Sequence, residues 1–353
     1  MTEAIIVGWI DSGRRADNGE TMKNQLLIKR LGELGVRCRE MDFKGWRRRP
    51  WILLRLAWNM MAHKRATLIL SSSAGNIYPM LRLMKRIGWK QHTVHWVIGA
   101  TIGAHVAQHT MQRDILDYAD RTVVESPLLQ KQLTEYGIHN VVQVPNFKPI
   151  SYFPDIQPRV RRYVADGNHA RRFVFLSRIT PEKGCEYIIE AARRLNAASL
   201  ADRFTVDFYG SIADDYRRSF ERQVSEIPNV RYCGFLNLRE AAGYDTLAGY
   251  DAMLFPTYYP GECFAGVFID AFISGLPIIA SDWAHNTQFM TDGETALIVP
   301  THDTEALCDR MKGCIDGCYN LAAMASAAQL HAATFSSENV ITPKLLKGLE
   351  ITR

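Results

Sequence analysis

The sequence lacks the patterns that mark secreted and membrane-spanning proteins. Its seven cysteines are odd in number and form no C-x-x-C pair, so they read as the reduced thiols of a cytoplasmic protein. The longest apolar run of the N-terminal half, residues 51–62, is interrupted by Arg55 and Asn59 and is too short to cross a bilayer. The first residues have no basic start followed by an apolar core and a cleavage site, which argues against a signal peptide. We therefore expect a cytoplasmic location.

Several ligand-binding motifs are also missing. No G-x-G occurs, which excludes a dinucleotide fingerprint and a kinase-type glycine loop. No D-x-D triplet is present to hold Mg²⁺ between paired acids. His105 and His109 are four residues apart on a predicted helix, which is a spacing that can bind a metal. No carboxylate cluster lies near them in sequence, so the support for a metal site is weak. No basic helix carries interleaved base-reading side chains. We expect no metal, no cofactor and no nucleic-acid partner.

Length, composition and charge indicate two globular domains. The 353 residues are 47% hydrophobic and 22% charged, which is ordinary for folded proteins. Residues 1–150 hold 22 Lys or Arg against 12 Asp or Glu, whereas residues 151–353 hold 20 against 25. Prolines and a change of composition suggest where the parts meet. The predicted parts are an N-terminal domain over 1–148, a linker over 149–170, a C-terminal domain over 171–335 and a tail helix over 336–353.

Both halves alternate short apolar strands with helices, which predicts parallel sheets covered by helices on both faces. The predicted strands are 4–10, 67–70, 92–98, 173–176 and 204–210, and the predicted helices include 21–34 and 185–195. Ligands bind beyond the carboxyl ends of such strands. In the first half this points to three loops that line a crevice, those around Asn18 and Gly19, around residues 73–75, and around Gly99 and Ala100. Taken singly, each glycine is better explained by a tight turn.

Residues 253–283 read as strand, loop, helix, turn and strand. The loop contains Glu262, and the helix that begins near residue 265 contains Asp270, about two helical turns further on. The free N–H groups at a helix start favour phosphate, and carboxylates accept hydrogen bonds from sugar hydroxyls. On spacing alone, an ordinary β-α-β unit with a solvated Asp270 is the better explanation.

Several words of the sequence resemble the donor-binding segments of glycosyltransferase family 4. FPTYYPGE, GVFIDAF, GLPIIASDW and Asn286 are similar to its donor-sugar segment, in which two glutamates have seven residues between them. Here the second glutamate is Asp270, and Cys263 follows the first acid where the family usually has glycine. The stretch SRITPEKG resembles the family's diphosphate-binding motif, with Arg178 and Lys183 at its two cations. A guanidinium and an ammonium beside a helix start suit two phosphates.

The resemblance covers about residues 120–335 and extends loosely to the first hundred residues. NVRYCGF is similar to the strand that ends at the nucleotide base, and NGETMKNQLL and HWVIGAT are similar to a branch that builds bacterial surface polysaccharides. Many family members carry a histidine at the end of the strand that here reads HWVIGA. His95 lies three residues before that end, and a core histidine with satisfied hydrogen bonds is the favoured interpretation.

The resemblance implies a GT-B enzyme with two doubly wound, Rossmann-like domains that face each other across a cleft. Such an enzyme transfers a hexose from a nucleotide diphosphate to a carbohydrate or lipid-linked acceptor, with retention of configuration and without a metal. Arg178 and Lys183 would neutralise the diphosphate, Glu262 would bind sugar hydroxyls and Asp270 the ribose diol. The other implied donor contacts are Gly210, Cys233, Gly234, Phe264, Ala265, Gly266 and Val267. The alternatives are a nucleotide-sugar epimerase of GT-B fold and a non-catalytic carbohydrate-binding relative.

Basic and aromatic residues in 44–65 and 84–90 suggest contact with an anionic membrane surface. The run 51–62 is apolar nearly all round, so it is predicted to be a core helix. Arg47, Arg48 and Arg49 would then face lipid headgroups on the cytoplasmic leaflet.

Overall fold

The chain divides into two compact units. The computed structural model describes residues 2–12, 18–46, 48–165 and 169–352. Unit 1 comprises Met1–Pro149 and Ser336–Arg353, and unit 2 comprises Ile150–Phe335. Each unit has its own sheet and its own hydrophobic core.

Unit 1 contains a sheet of six parallel strands in the order β2-β1-β3-β4-β5-β6. The strands are β1 (Thr2–Gly8), β2 (Val36–Asp42), β3 (Thr67–Ser72), β4 (Thr93–Val97), β5 (Arg121–Val124) and β6 (Val141–Gln143). The helices are α1 (Gly19–Glu33), α2 (Trp51–Ala62), α3 (Ala74–Arg86), α4 (Thr101–Ala107), α5 (Arg113–Leu116) and α6 (Pro127–Glu135). Along β1, Ala4 and Ile6 join one core cluster and Ile5 and Val7 join another, because both faces of the sheet are covered.

Unit 2 repeats this plan with the strand order β12-β11-β10-β7-β8-β9. Its strands are β7 (Arg171–Leu176), β8 (Phe204–Tyr209), β9 (Val230–Tyr232), β10 (Ala252–Phe255), β11 (Ile278–Ser281) and β12 (Ala296–Val299). Its helices are α7 (Gln157–Ala165), α8 (Cys185–Ala197), α9 (Arg217–Ser225), α10 (Ala241–Ala248), α11 (Gly266–Ile273), α12 (Thr304–Ile315) and α13 (Leu321–Ala332). The predicted alternation of strands and helices, and the doubly wound parallel sheets, are confirmed in both units.

The stretch predicted as a linker contains helix α7, which packs into unit 2. The buried guanidinium of Arg159 donates to the carbonyl oxygens of Tyr250 and Gly275, at 2.5 Å each. These contacts attach the stretch to α10 and to the end of α11. The linker was predicted from Pro149 and Pro154, which precede α7, and from Pro158, which lies in its first turn.

The last residues return to unit 1 as two short helices, α14 (Ser337–Val340) and α15 (Pro343–Gly348). Leu346 and Leu349 are buried in the same core cluster as Ile6 of β1. His92 lies 2.8 Å from the carbonyl oxygen of Leu349 through its Nε2 atom. The segment predicted as a tail helix is thus part of the core of unit 1.

His95 of β4 is fully buried, and neither of its ring nitrogens has a hydrogen-bond partner among the described residues. Its register neighbour on β5 is Thr122, whose buried hydroxyl has no partner in the described part of the chain either. Burial lowers the pKa of His95 to about 4, so the imidazole is neutral at pH 7. The prediction of a core histidine was right about burial and wrong about satisfied hydrogen bonds.

We expect His95 to make unit 1 sensitive to acid. Its pKa in the folded state lies below the unfolded value of 6.5, so the unfolded chain takes up the proton first. The contribution of neutral His95 to the free energy of unfolding is fully present above pH 6.5. It falls by about 3 kcal/mol as the pH drops towards 4. Urea unfolding of wild type and His95→Leu at pH 7.5 and pH 5 measures the effect. Equal pH dependence in both proteins would contradict it.

Helix α2 is largely exposed, so its prediction as a core helix is wrong. Only Leu56 and Met60 of this helix are buried, whereas Trp58 is 69% exposed. A helix that is apolar on all sides is predicted to be buried on all sides, but only one face of α2 packs against the core of unit 1. Among the described residues, no helix is long and apolar enough to cross a bilayer. Of the three arginines before α2, Arg47 lies outside the described residues, and the other two are exposed.

Candidate functional site

The loops that follow β7, β8 and β10 meet at the carboxyl edge of the sheet in unit 2. A Cβ atom on Gly210 would lie 1.8 Å from the carbonyl oxygen of Ser177, and one on Gly184 would lie 2.1 Å from that of Pro256. Both glycines have positive φ angles, 144° and 80°, which other residues rarely adopt. The backbone of each loop therefore touches the next one, and side chains from all three converge.

Lys183 lies at the centre of this edge. It ends a short 3-10 turn, Pro181–Lys183, immediately before α8 begins. Its side chain is buried and its ammonium donates to the carboxylate of Glu262, which comes from the loop after β10. The ammonium also lies 4.7 Å from the ring centre of Tyr259 and 5.4 Å from that of Phe255. The sequence motif by itself does not indicate that this lysine is buried.

Glu262 is buried as well, and Thr257 supports it. The hydroxyl of Thr257 lies 3.3 Å from the same carboxylate oxygen that Lys183 binds. The backbone N–H of Tyr258 donates to the carbonyl oxygen of Glu182 at 2.8 Å, which joins the two loops directly. Glu262 precedes α11 by four residues, so it lies in the loop and not on the helix. The structure therefore brings Glu262 and Lys183 together as a buried ion pair.

Arg178 provides a second, exposed cation on the loop after β7. Its guanidinium lies 5.9 Å from the ring centre of Tyr259, the same ring that Lys183 approaches. One aromatic ring thus contacts both cations of the predicted diphosphate motif. Two positive charges next to the start of α8, whose first N–H groups lack intrahelical partners, can neutralise a dianionic group.

The start of α11 is held in place by an aromatic cluster. Phe264 is buried, with its ring stacked on Phe289 at 3.9 Å between centres and edge-on to Phe335 at 4.7 Å. Phe264 can therefore offer a ligand only its backbone. Ala265 is the N-cap of α11, and Gly266 and Val267 form its partly exposed first turn. Their N–H groups are at the position where the sequence predicts contacts to sugar or phosphate.

Asp270 lies within α11 and is 2% exposed. Its carboxylate accepts a hydrogen bond of 3.0 Å from the hydroxyl of Tyr244, on α10. Burial, and secondly the charge of Asp270, raise the pKa of Tyr244, which keeps its proton as donor. The second acid of the predicted pair is thus held by a tyrosine, whereas the first is held by a lysine.

The ends of β8 and β9 form the side of this edge where a nucleotide base is expected. The N–H of Gly210 donates to the carbonyl oxygen of Gly234 at 2.8 Å, and the N–H of Cys233 donates to that of Phe208 at 2.9 Å. Cys233 is exposed, and the pKa of its thiol is raised, first by burial of the sulfur and then by Asp207. The thiol is therefore protonated at neutral pH.

The four residues predicted from the first half lie at the carboxyl edge of the sheet in unit 1. Asn18 caps α1, its side-chain oxygen accepting the N–H of Thr21 at 2.9 Å, and Gly19 is the first residue of that helix. Gly99, with a φ angle of 81°, and Ala100, the N-cap of α4, follow β4. Their role in lining a cleft stays a prediction.

The same edge of unit 1 carries a polar cluster that the sequence did not reveal. Glu20 accepts a hydrogen bond of 2.5 Å from Ser72, and Asn76 donates to the Ser72 hydroxyl at 3.0 Å. Burial raises the pKa of Glu20 above its ordinary value. Lys23, one turn further along α1, pairs with Glu125 at the end of β5. These side chains come from three separate segments, so no local pattern could have predicted the cluster.

Three residues that support the site in unit 2 were not among those predicted from the sequence. Thr257 and Tyr259 belong to the segment FPTYYPGE, in which only Glu262 was singled out. Tyr244 belongs to a helix that carries no recognised motif. The available signal for Thr257 and Tyr259 was that they are polar residues close in sequence to Glu262. Among the described residues, no cluster of three or more His, Cys, Asp or Glu is placed to hold a metal ion.

Comparison with known proteins connects this edge of unit 2 to a family. Residues 170–316 match the family model described as glycosyl transferases group 1. The D-inositol 3-phosphate glycosyltransferase of Corynebacterium aurimucosum is 26% identical over 242 residues, which cover 65% of this chain and 56% of that protein. The chain spans about half the length of the curated relatives it matches.

Solved structures share the whole fold. Sucrose-phosphate synthase from Thermosynechococcus elongatus superposes with a TM-score of 0.78 at 15% identity, covering 99% of each chain. HepE of Anabaena, solved in complex with UDP and glucose, gives a TM-score of 0.71 at 14% identity, covering 99% of this chain and 100% of HepE. The chain therefore has the GT-B fold of two Rossmann-like domains, and its residues 170–316 are similar to the glycosyl transferases group 1.

Proposed function

We propose that this protein transfers a hexose from a nucleoside diphosphate to a carbohydrate or lipid-linked acceptor, in polysaccharide synthesis and with retention of configuration. The observation that carries the proposal is the buried pair of Lys183 and Glu262, with Arg178 beside it, between the starts of α8 and α11. This pair lies inside the segment that matches the glycosyltransferase model. Lys183 and Arg178 provide the cations that bind a diphosphate. Glu262 provides a carboxylate that accepts hydrogen bonds from sugar hydroxyls.

The diphosphate end of the donor would lie against Arg178, Lys183 and the first turn of α8. As the bond from the sugar C1 to the phosphate oxygen breaks, negative charge grows on the leaving diphosphate. Fixed cations and helix N–H groups stabilise that charge more in the transition state than in the bound donor. In the donor complex the ammonium of Lys183 would turn from Glu262 towards phosphate oxygens.

The sugar end would lie against Glu262 and the first turn of α11. Once Lys183 engages phosphate, the carboxylate of Glu262 becomes an acceptor for sugar hydroxyls. Asp270, held by Tyr244, would bind the ribose diol, and the loops at Gly210, Cys233 and Gly234 would contact the base. The assignments of base, diphosphate and sugar follow the order of the strand ends along the sheet, from β9 through β8 and β7 to β10.

Retention would follow from departure and attack on one face of the sugar. The C1–O bond to phosphate breaks, the acceptor hydroxyl oxygen forms the new bond to C1 from the same face, and its proton passes to the leaving phosphate oxygen. Retaining glycosidases instead use a carboxylate that attacks C1. Glu262 is paired with Lys183, which suits a binding role more than a nucleophilic one.

We assign acceptor binding to unit 1, whose carboxyl edge carries Asn18, Gly19, Gly99 and Ala100. The polar cluster around Glu20 adds hydrogen-bonding groups suited to a hydroxylated acceptor. We place the enzyme in the cytoplasm, in peripheral contact with the inner face of the membrane. The protein would use no cofactor beyond its nucleotide-sugar substrate.

A panel of nucleotide sugars tests the proposal. We expect at least one donor to raise the melting temperature, because a ligand that binds only the folded state stabilises it. The same donor should yield a transferred sugar when an acceptor extract is added. A changed sugar from donor alone would identify an epimerase, and binding with no turnover would identify a non-catalytic relative. Either result would overturn the transferase proposal.

We expect transfer to be independent of divalent metal. The sequence has no D-x-D triplet, and Arg178, Lys183 and the helix start supply the positive charge for the leaving diphosphate. Activity in excess EDTA should equal that of the untreated enzyme. Complete loss with EDTA that Mg²⁺ or Mn²⁺ restores would contradict this expectation.

A further inference from the structure

Helix α2 presents a continuous apolar stripe away from the core of unit 1. The exposed residues Trp51, Leu54, Trp58 and Met61 are spaced by three, four and three positions, which places them on one side of the helix. Their exposed fractions are 59%, 74%, 69% and 54%. The buried Leu56 and Met60 lie on the opposite side of the helix.

Exposed apolar side chains are concentrated in this part of the molecule. Of the thirteen large apolar side chains that are exposed among the described residues, eight lie between positions 46 and 87. They include Trp46 before α2, and Leu83 and Ile87 at the end of α3. Both helices pack against one core cluster, through Met60 of α2 and Leu81 of α3. Exposed apolar patches of this kind on a folded protein mark a surface that binds another protein or a membrane.

The positive charge of the same region favours an anionic membrane over a second copy of this chain as the partner of the apolar stripe. Residues 43–113 contain twelve Lys or Arg and no Asp or Glu. Arg48, Arg49 and Arg55 are exposed on or next to α2, and Arg82 and Arg86 are exposed on α3. A second copy of this chain would bring the same positive charge against this surface, which opposes self-association. An anionic lipid leaflet offers both negative headgroups and an apolar interior.

We propose that α2 is a membrane-surface anchor, which inserts its Trp51–Leu54–Trp58–Met61 stripe into an anionic leaflet while the neighbouring arginines bind headgroups. Tryptophan prefers the boundary between acyl chains and headgroups, and an amphipathic helix binds there through buried apolar area plus electrostatic attraction. The inference rests on the proposed function only in the reason for docking, which is access to a lipid-linked acceptor. Docking itself requires neither donor nor turnover.

Sedimentation with vesicles tests the anchor. Phosphatidylcholine vesicles with and without phosphatidylglycerol are mixed with wild type, Leu54→Ser/Trp58→Ser and Arg48→Ser/Arg49→Ser, at low and high salt. Leu330→Ser is the matched control, because Leu330 is 79% exposed but belongs to unit 2. The substituted side chains are exposed, so each variant should fold, which circular dichroism checks.

Wild type and the control should bind the anionic vesicles. The Leu54→Ser/Trp58→Ser protein should bind at least thirtyfold more weakly at both salt concentrations, because it loses apolar insertion. Arg48→Ser/Arg49→Ser should bind about thirtyfold more weakly at low salt, with a smaller difference at high salt. Equal pelleting of wild type and Leu54→Ser/Trp58→Ser would overturn the anchor. Self-association of wild type without lipid, abolished by the same substitutions, would assign the stripe to a second copy instead.

Discussion

Arg178→Ala and Lys183→Ala should each lower sugar transfer by roughly a hundredfold or more. Each variant loses a preorganised positive charge at the position where the leaving diphosphate becomes more negative. The comparison is kcat and kcat/KM against wild type, with the donor that the panel identifies. Arg218→Ala is the matched control, because Arg218 is an exposed arginine of the same unit, on α9. Near-normal kinetics in both variants would contradict the diphosphate assignment.

The two variants should differ in stability. Arg178 is exposed, so its removal should leave unfolding unchanged. Lys183 is buried against Glu262, and its removal leaves a buried carboxylate without its partner, at a cost of about 3 kcal/mol or more. Lys183→Ala/Glu262→Gln removes that uncompensated charge and should recover much of the lost stability without recovering turnover. Loss of activity in the double variant, once folded, then reports on chemistry and not on folding.

Glu262→Gln should separate binding from turnover. The amide has the shape of the carboxylate but no charge, so it binds sugar hydroxyls more weakly and no longer holds the ammonium of Lys183. We expect kcat to fall by about a hundredfold or more, while UDP, GDP or ADP binds at least as tightly as to wild type. The reason is that a diphosphate competes with Glu262 for Lys183 in the free enzyme.

Measured dissociation constants and steady-state rates provide this comparison. Glu294→Gln, at an exposed position of the same unit, is the control for a loss of negative charge. If nucleoside diphosphate affinity falls together with kcat in Glu262→Gln, the carboxylate supports the shape of the site and does not compete for the lysine.

The sequence predicted most of the strands, though not β2 or β12, and the fold of both units, because short apolar runs between helices leave few alternatives to a parallel sheet. It also located Lys183 and Glu262, through motifs with a family resemblance. It did not predict that they pair, because 79 positions separate them and only the contact between the loops after β7 and β10 joins them. The burial of Lys183 followed from that contact and not from its neighbours in sequence.

The exposure of α2 and the packing of α7 could not be predicted, for a common physical reason. An apolar pattern shows that a helix can be buried but not how much of it a partner covers, so α2 was expected in the core and is exposed on one face. Prolines show where a helix can begin but not what it packs against, so the sequence did not indicate that α7 packs into unit 2. In both cases distant residues decide the outcome, such as the carbonyl groups that bind Arg159. The local sequence pattern carries no information about these distant residues.

Calorimetric titration of UDP, GDP and ADP into wild type and Arg178→Ala tests most directly whether the carboxyl edge of unit 2 holds a nucleoside diphosphate. We expect at least one of the three to bind wild type. Arg178→Ala, with unchanged stability, should bind that nucleotide at least tenfold more weakly, because one charge-assisted contact to phosphate is lost. Binding of none of the three, or equal affinity in both proteins, would contradict a nucleoside diphosphate site at this edge.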